Sequence, residues 1–143
     1  MSEILTSSAT KVIAFQLKDK EYAFPVQQVQ SIEKLMHITR VPGTSPFIKG
    51  VINLRGVVTP IVDLRSRFQL PEEYNEQARI IITVSGDTEI GLIVDGANDV
   101  LDIPGSVIEL QPEGVGGAEE DYIVGVAKLE KRLIILLDLE KVL

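Results

Sequence analysis

Gly50 to Arg67 reads GVINLRGVVTPIVDLRSR, with two apolar runs, Val51 to Leu54 and Val57 to Leu64, on either side of the pair Arg55-Gly56. Short runs of branched aliphatics suit a pleated, partly buried surface, and a glycine following a long polar residue marks a tight two-residue turn. The stretch predicts a β-hairpin with an arginine at its tip. Leu54, Gly56, Val57 and Val58 bracket Arg55, so its guanidinium projects from an apolar rim, a setting suited to a carboxylate. A lone turn arginine is ordinarily a solvated charge that contributes little, so the rest of the chain decides between the two readings.

Upstream, Val12 to Leu17 alternates, Lys18-Asp19-Lys20 reads as a turn, and Tyr22 to Val26 returns as a strand whose end Pro25 confines to an edge or bulge. Val26, Val29 and Ile32 recur every third residue, which suits one short helical or 3₁₀ turn. Glu33 to Pro46 carries enough breakers to be strand and loop, and Phe47 to Gly50 is expected to make a brief helical turn. Residues 1–10 are small and polar and are expected to form a mobile tail. Beyond Arg67, FQLPEEYNEQ is polar and contains a proline, marking a boundary.

The second half repeats the first. An offset of 68 places Ile81 on Ile13, Glu89 on Glu21, Leu92 on Phe24 and Val100 on Ile32, and an offset of 75 places Gly125 on Gly50 and Asp138-Leu139 on Asp63-Leu64. Each copy, about 11–67 and 79–143, holds some five short strands. That is the number for a small closed barrel, and closure removes exposed edges. The fold class expected is all-β, two small barrels packed together, with a second short helical turn in the region of Val94 to Val100. Arg55-Gly56 is replaced in the second copy by Glu130-Lys131, whereas the aspartates recur. Asp63 and Asp138 therefore read as strand-ending caps, and Arg55 reads as functional.

With 143 residues, the chain supports one ordinary domain or two very small ones with a common core. Aromatics are only 5%, so the core must be built mainly from Val, Ile and Leu. There is no cysteine and one histidine, His37, which excludes a disulfide framework and a His cluster. A formal charge of -7 without a basic run argues against nucleic acid or an anionic membrane surface as partner. The start lacks a signal-peptide pattern, and no apolar run is long enough for a membrane helix, so a soluble, intracellular protein is expected.

DGANDVLD brings Asp95, Asp99 and Asp102 to intervals of four and three, as on one face of a helical turn. The pattern lacks the alternate carboxylates, central glycine and final glutamate of a calcium loop, so solvated charge is the better reading. No cysteine or paired histidine supports nucleophilic catalysis, and GVGG at 114–117 lacks the Lys-Ser/Thr of a phosphate loop and reads as an acidic surface loop with AEED. No catalytic, cofactor or metal residue is assigned. A small-molecule sensor or enzyme with a pocket between the barrels is the competing class, although Arg55 is nearly the only polar group the sequence offers there.

FIKGVINLRGVVTPIVDLR, with KEYAFPVQQVQSIEK and RVPG before it and ARIIITV, EIGLIVDGANDVL and RLIILLDLEKVL after it, resembles the CheW family, the coupling proteins of bacterial chemotaxis. The resemblance runs from about Lys11 to Leu143, as a single domain. It implies two SH3-like five-stranded barrels with exchanged strands around a shared apolar interface, and a non-catalytic adaptor without cofactor. That adaptor links the cytoplasmic tips of methyl-accepting chemoreceptors to the regulatory domain of the histidine kinase CheA. It also implies a cytoplasmic protein, monomeric when free, recruited to receptor arrays at the inner face of the membrane. Carried over by position, Ile13, Val26 and Val29 face the kinase, and Ile32, Glu33, Arg55, Gly56, Val58 and Gly91 form the receptor groove. In many family members an acid stands where this chain has Ser31, with Glu33 one strand repeat further on.

Overall fold

The computed structural model describes residues 9–43, 47–71, 73–110 and 122–143. The first copy supplies β1 (Ala9–Leu17), β2 (Lys20–Pro25), β3 (Val29–Lys34), β4 (Ile48–Leu54) and β5 (Val57–Asp63), ending in the short helix α1 (Leu64–Arg67). The second supplies β6 (Arg79–Ser85), β7 (Thr88–Val94), β8 (Gly96–Pro104), β9 (Ile108–Leu110), β10 (Ile123–Leu129), β11 (Arg132–Leu137) and α2 (Leu139–Val142).

The strands form two sheets, ordered β3-β6-β7-β5-β4 and β8-β1-β2-β11-β10-β9. Each copy therefore lends its opening hairpin to the other, β6-β7 completing the first barrel and β1-β2 the second. The joins are the parallel pairs β5 with β7 and β11 with β2. Strands that follow one another in the chain stand at opposite sheet edges, so each sheet curls on itself. In the second barrel β8 turns through a 3₁₀ segment, Gly105–Val107, into β9; in the first, the Thr39 to Val51 bridge does this work.

Exchange explains why the apolar runs do not alternate. A strand packed on both faces needs aliphatics at every position. In β6, Ile80 and Ile82 fill the first barrel with Ile52, Leu54, Ile61 and Ile93, while Ile81 joins the layer between the barrels. That layer holds Phe15, Tyr22 and Phe24 of β1-β2, Leu92 and Val94 of β7, and Phe68, Leu137 and Leu139.

Both aspartates cap as expected. Asp63 accepts from the Ser66 amide at 3.2 Å and Asp138 from Glu140 at 3.0 Å, while their own amides donate to Phe47 and Tyr122 carbonyls at 3.0 and 2.8 Å. Both hairpins open on a glycine held against backbone. A Cβ on Gly50 would press into the Thr39 carbonyl oxygen, and one on Gly125 would lie 2.7 Å from that of Glu109. This close approach is why a glycine stands at the same place in each copy.

Several local expectations are corrected. β1 begins at Ala9, and Thr10 is buried, so the last two residues of the expected tail are core strand paired with β8; residues 1–8 lie outside those described. The 3₁₀ turn falls at Val26–Gln28, but its counterpart near Asp95 is the extended start of β8, because Gly96 carries β7 directly into the next strand. Ile48 to Gly50 is strand, drawn into pairing with β5. The GVGG segment and Pro46 also lie outside the described residues.

Candidate functional site

The central hairpin turns where expected. Arg55 and Gly56 have φ of 53° and 85°, the paired left-handed conformation that matches strand twist, and the Gly56 amide donates to Asn53 Oδ1 at 2.9 Å. Arg55 Nη2 donates to Glu33 Oε2 at 3.2 Å, yet 67% of the arginine side chain remains exposed. Around the pair, Val57 and Val58 are 52% and 67% exposed, and Ile32 and Leu35 are exposed beside Glu33. Ile32, Glu33, Arg55, Gly56 and Val58 thus gather at one end of the first barrel.

Gly91 does not join them. It is buried in β7, and a Cβ there would lie 2.6 Å from Ile61 and 2.8 Å from Ile80, so the residue serves core packing and offers no surface. Of the two candidate positions, Glu33 reaches Arg55, while the Ser31 hydroxyl oxygen is buried with no hydrogen-bond partner.

The residues expected to face the kinase are mostly covered. Ile13 is core at 9% exposed, Val29 packs half-buried against the inter-barrel layer with Val26 half-buried before it, and the exposed aliphatic beside Ile13 is its register partner Val100, 53% exposed. Local pattern does not mark Val100, because the spacing of DGANDVLD suits a helical turn. Its offset from Ile32 was the available signal.

The acids of DGANDVLD are dispersed along β8 and its approach. Asp95 receives both arms of the Arg65 fork, at 2.7 and 2.6 Å, and the Lys18 amide at 2.7 Å, fastening α1 to the β1-β2 turn. Asp99 and Glu21 share Arg132, whose Nη2 lies 2.9 and 2.6 Å from them, and Asn98 donates to Glu21 at 2.9 Å. The Arg132 hydrogen bonds hold both carboxyls below the usual carboxylate range, against the opposing effect of burial. Asp102 lies 3.8 Å from Lys11 on the surface. Among the described residues no three His, Cys, Asp or Glu side chains gather as metal ligands. An open recess of about 560 Å³, lined by Gln16, Lys18, Gln77 and Arg79, also includes Asp95, which is already paired with Arg65.

Intertwined barrels with exposed aliphatics gathered around an exposed arginine define an interaction module of the double-barrel class. The match to the CheW-like domain over residues 11–143 narrows this, and the chain belongs to that family. It is 52% identical to the chemotaxis protein CheW of Bacillus subtilis (strain 168) over 134 residues, 93% of this chain and 86% of that protein. Against the chemotaxis protein CheW of Klebsiella aerogenes it is 39% identical over 132 residues, 92% of this chain and 80% of that one. The crystal structure of the scaffolding protein TtCheW from Thermoanaerobacter tengcongensis superposes with a TM-score of 0.82 at 32% identity, covering 90% of this chain and 88% of that one. Within this family the chain is a chemotaxis coupling adaptor.

Proposed function

We propose that this adaptor is non-catalytic and holds two different proteins at once. The Arg55 rim receives the cytoplasmic tip of a methyl-accepting chemoreceptor, and the patch of Ile13, Val26, Val29 and Val100 receives the regulatory domain of the kinase CheA. The observation that carries this reading is the exposed rim of Ile32, Val57 and Val58 around Arg55 and Glu33 in one sheet, with Val100 exposed on β8 in the other. Apolar contact supplies most of the affinity at each patch, and Arg55 supplies orientation. In the cell the free monomer is cytoplasmic and is drawn to receptor arrays under the inner membrane face.

The test is a pull-down of the purified protein with a CheA regulatory domain and, separately, with a receptor-tip fragment. A Val26→Glu/Val29→Glu variant, folded by its melt, is expected to lose the kinase domain and keep the receptor tip. Loss of both partners together would overturn the assignment of separate faces.

A further inference from the structure

The two barrels end in equivalent mouths that are filled differently. Residues directly opposite on paired strands share a face. Ser31 and Glu33 pair with Ile82 and Ile80, which line the first barrel, so both face its interior side. Glu89 precedes by two residues Gly91, where a Cβ would point at Ile61, Ile80 and Ile82, and Val57 precedes Ile61 by four. Period-two alternation puts both on that side as well, at the barrel's end.

The offsets of 68 and 75 map Ser31 to Asp99, Glu89 to Glu21 and Val57 to Arg132. In the second barrel these three residues are one ion cluster, Arg132 standing between Glu21 and Asp99 at 2.6 and 2.9 Å. The first barrel keeps an acid, Glu89, and a small polar group, Ser31, but has valine where the arginine would be. Val57 is exposed, the Ser31 hydroxyl oxygen is buried without a partner, and the half-buried Glu89 carboxylate has no hydrogen bond or ion pair among the described residues. Arg55 is engaged nearby with Glu33.

We propose that the mouth of the first barrel is a seat for an arginine or lysine side chain of the protein that docks on the Arg55 rim. The incoming cation lies over Val57 and bonds to Glu89 and the Ser31 hydroxyl, as Arg132 bonds to Glu21 and Asp99 within the chain. This rests on the receptor-tip reading for the identity of the donor, while the seat itself rests on the repeat. A guanidinium suits it better than an ammonium, because its planar fork spans two acceptors.

One arm of the test needs no partner. Val57→Arg supplies the missing cation from within and is compared by thermal melt with Val57→Met, which matches its bulk without charge. Val57→Arg is expected to melt a few degrees above Val57→Met, with the gain abolished in a Glu89→Gln background. Equal melting points, or a gain that survives Glu89→Gln, would overturn the seat.

The second arm titrates a receptor-tip fragment. Val57→Arg and Glu89→Gln are each expected to weaken it about tenfold and to leave the CheA regulatory domain unaffected. Replacing one basic residue of the fragment by alanine is expected to remove the Glu89 effect. If the wild-type protein binds the tip and Glu89→Gln changes nothing, the donor assignment fails. If it binds no tip, the receptor reading fails, and the melts still decide the seat.

Discussion

The hairpins β4-β5 and β10-β11 are the same element built twice, and they have been put to different uses. Each opens on a glycine pressed against backbone, each ends at a capping aspartate, and each closes one end of a barrel. At the second tip Arg132 turns inward and ties three strands, β11, β2 and β8, with charge-assisted bonds. At the first tip the corresponding residue is the exposed Val57, and the arginine stands instead in the turn itself, held by one bond to Glu33. What the copies share maintains the fold. What they do not share separates an end fastened by an ion cluster from an end whose valine and arginine stay exposed.

The sharpest break in this comparison is at the shared glycines. Gly50→Ala drives a methyl into a carbonyl oxygen that the Thr39 to Val51 bridge holds in place, whereas Gly125→Ala meets the Glu109 carbonyl at a less severe 2.7 Å. Urea unfolding is expected to show a loss of about 3 kcal/mol for the first and about 1 to 2 kcal/mol for the second. Equal losses would mean that the two hairpin openings are equally tight.

Next in size is Arg132→Leu. It leaves Glu21 and Asp99 facing each other without their cation, at a site where a third of the arginine side chain is exposed. Solvent at the site places the cost well below that of breaking a buried pair, at about 1 to 2 kcal/mol. A change below ~0.5 kcal/mol would reduce the cluster to decoration.

The same cluster predicts a pH response. Glu21 and Asp99 have folded pKa values lowered by Arg132, so their contribution is fully present above the unfolded carboxylate range, ~3.9 to 4.3, and is lost as pH falls through the lowered values. Stability measured from pH 6 down to about 3 should fall more steeply in the wild type than in Arg132→Leu. Parallel curves would assign the acid sensitivity to other carboxylates.

Much of this was legible in the chain. The repeat, the strand count, the arginine-tipped turn and the capping aspartates follow from local pattern, because turn chemistry and apolar runs act over a few residues. The helical reading of DGANDVLD failed where tertiary pairing overrides spacing: Asp95 and Asp99 recur at four, but each is directed to an arginine far off in sequence, Arg65 and Arg132. The family resemblance places Gly91 in the groove, and nothing in EIGLIVDG shows that its missing side chain makes room for Ile61 and Ile80. Equally, no local signal shows that Glu33, rather than Ser31, reaches Arg55 across 22 residues.

Arg55→Ala is expected to change stability least and to test the contrast most directly. The residue makes one side-chain bond, at 3.2 Å, from a largely exposed position, so its loss should alter the unfolding free energy by less than ~0.5 kcal/mol. The backbone adds little, since Arg55 already holds a left-handed φ of 53° that alanine tolerates about as well, with Gly56 still in the turn. Receptor-tip affinity, by contrast, should drop by about 1 to 3 kcal/mol, about five- to 150-fold, if a partner carboxylate replaces Glu33 on the guanidinium. Arg132→Leu should show the reverse, losing stability while retaining tip affinity. A melt of Arg55→Ala depressed as far as that of Arg132→Leu would show that both arginines are fasteners, and the distinction between a closed and an open barrel end would collapse.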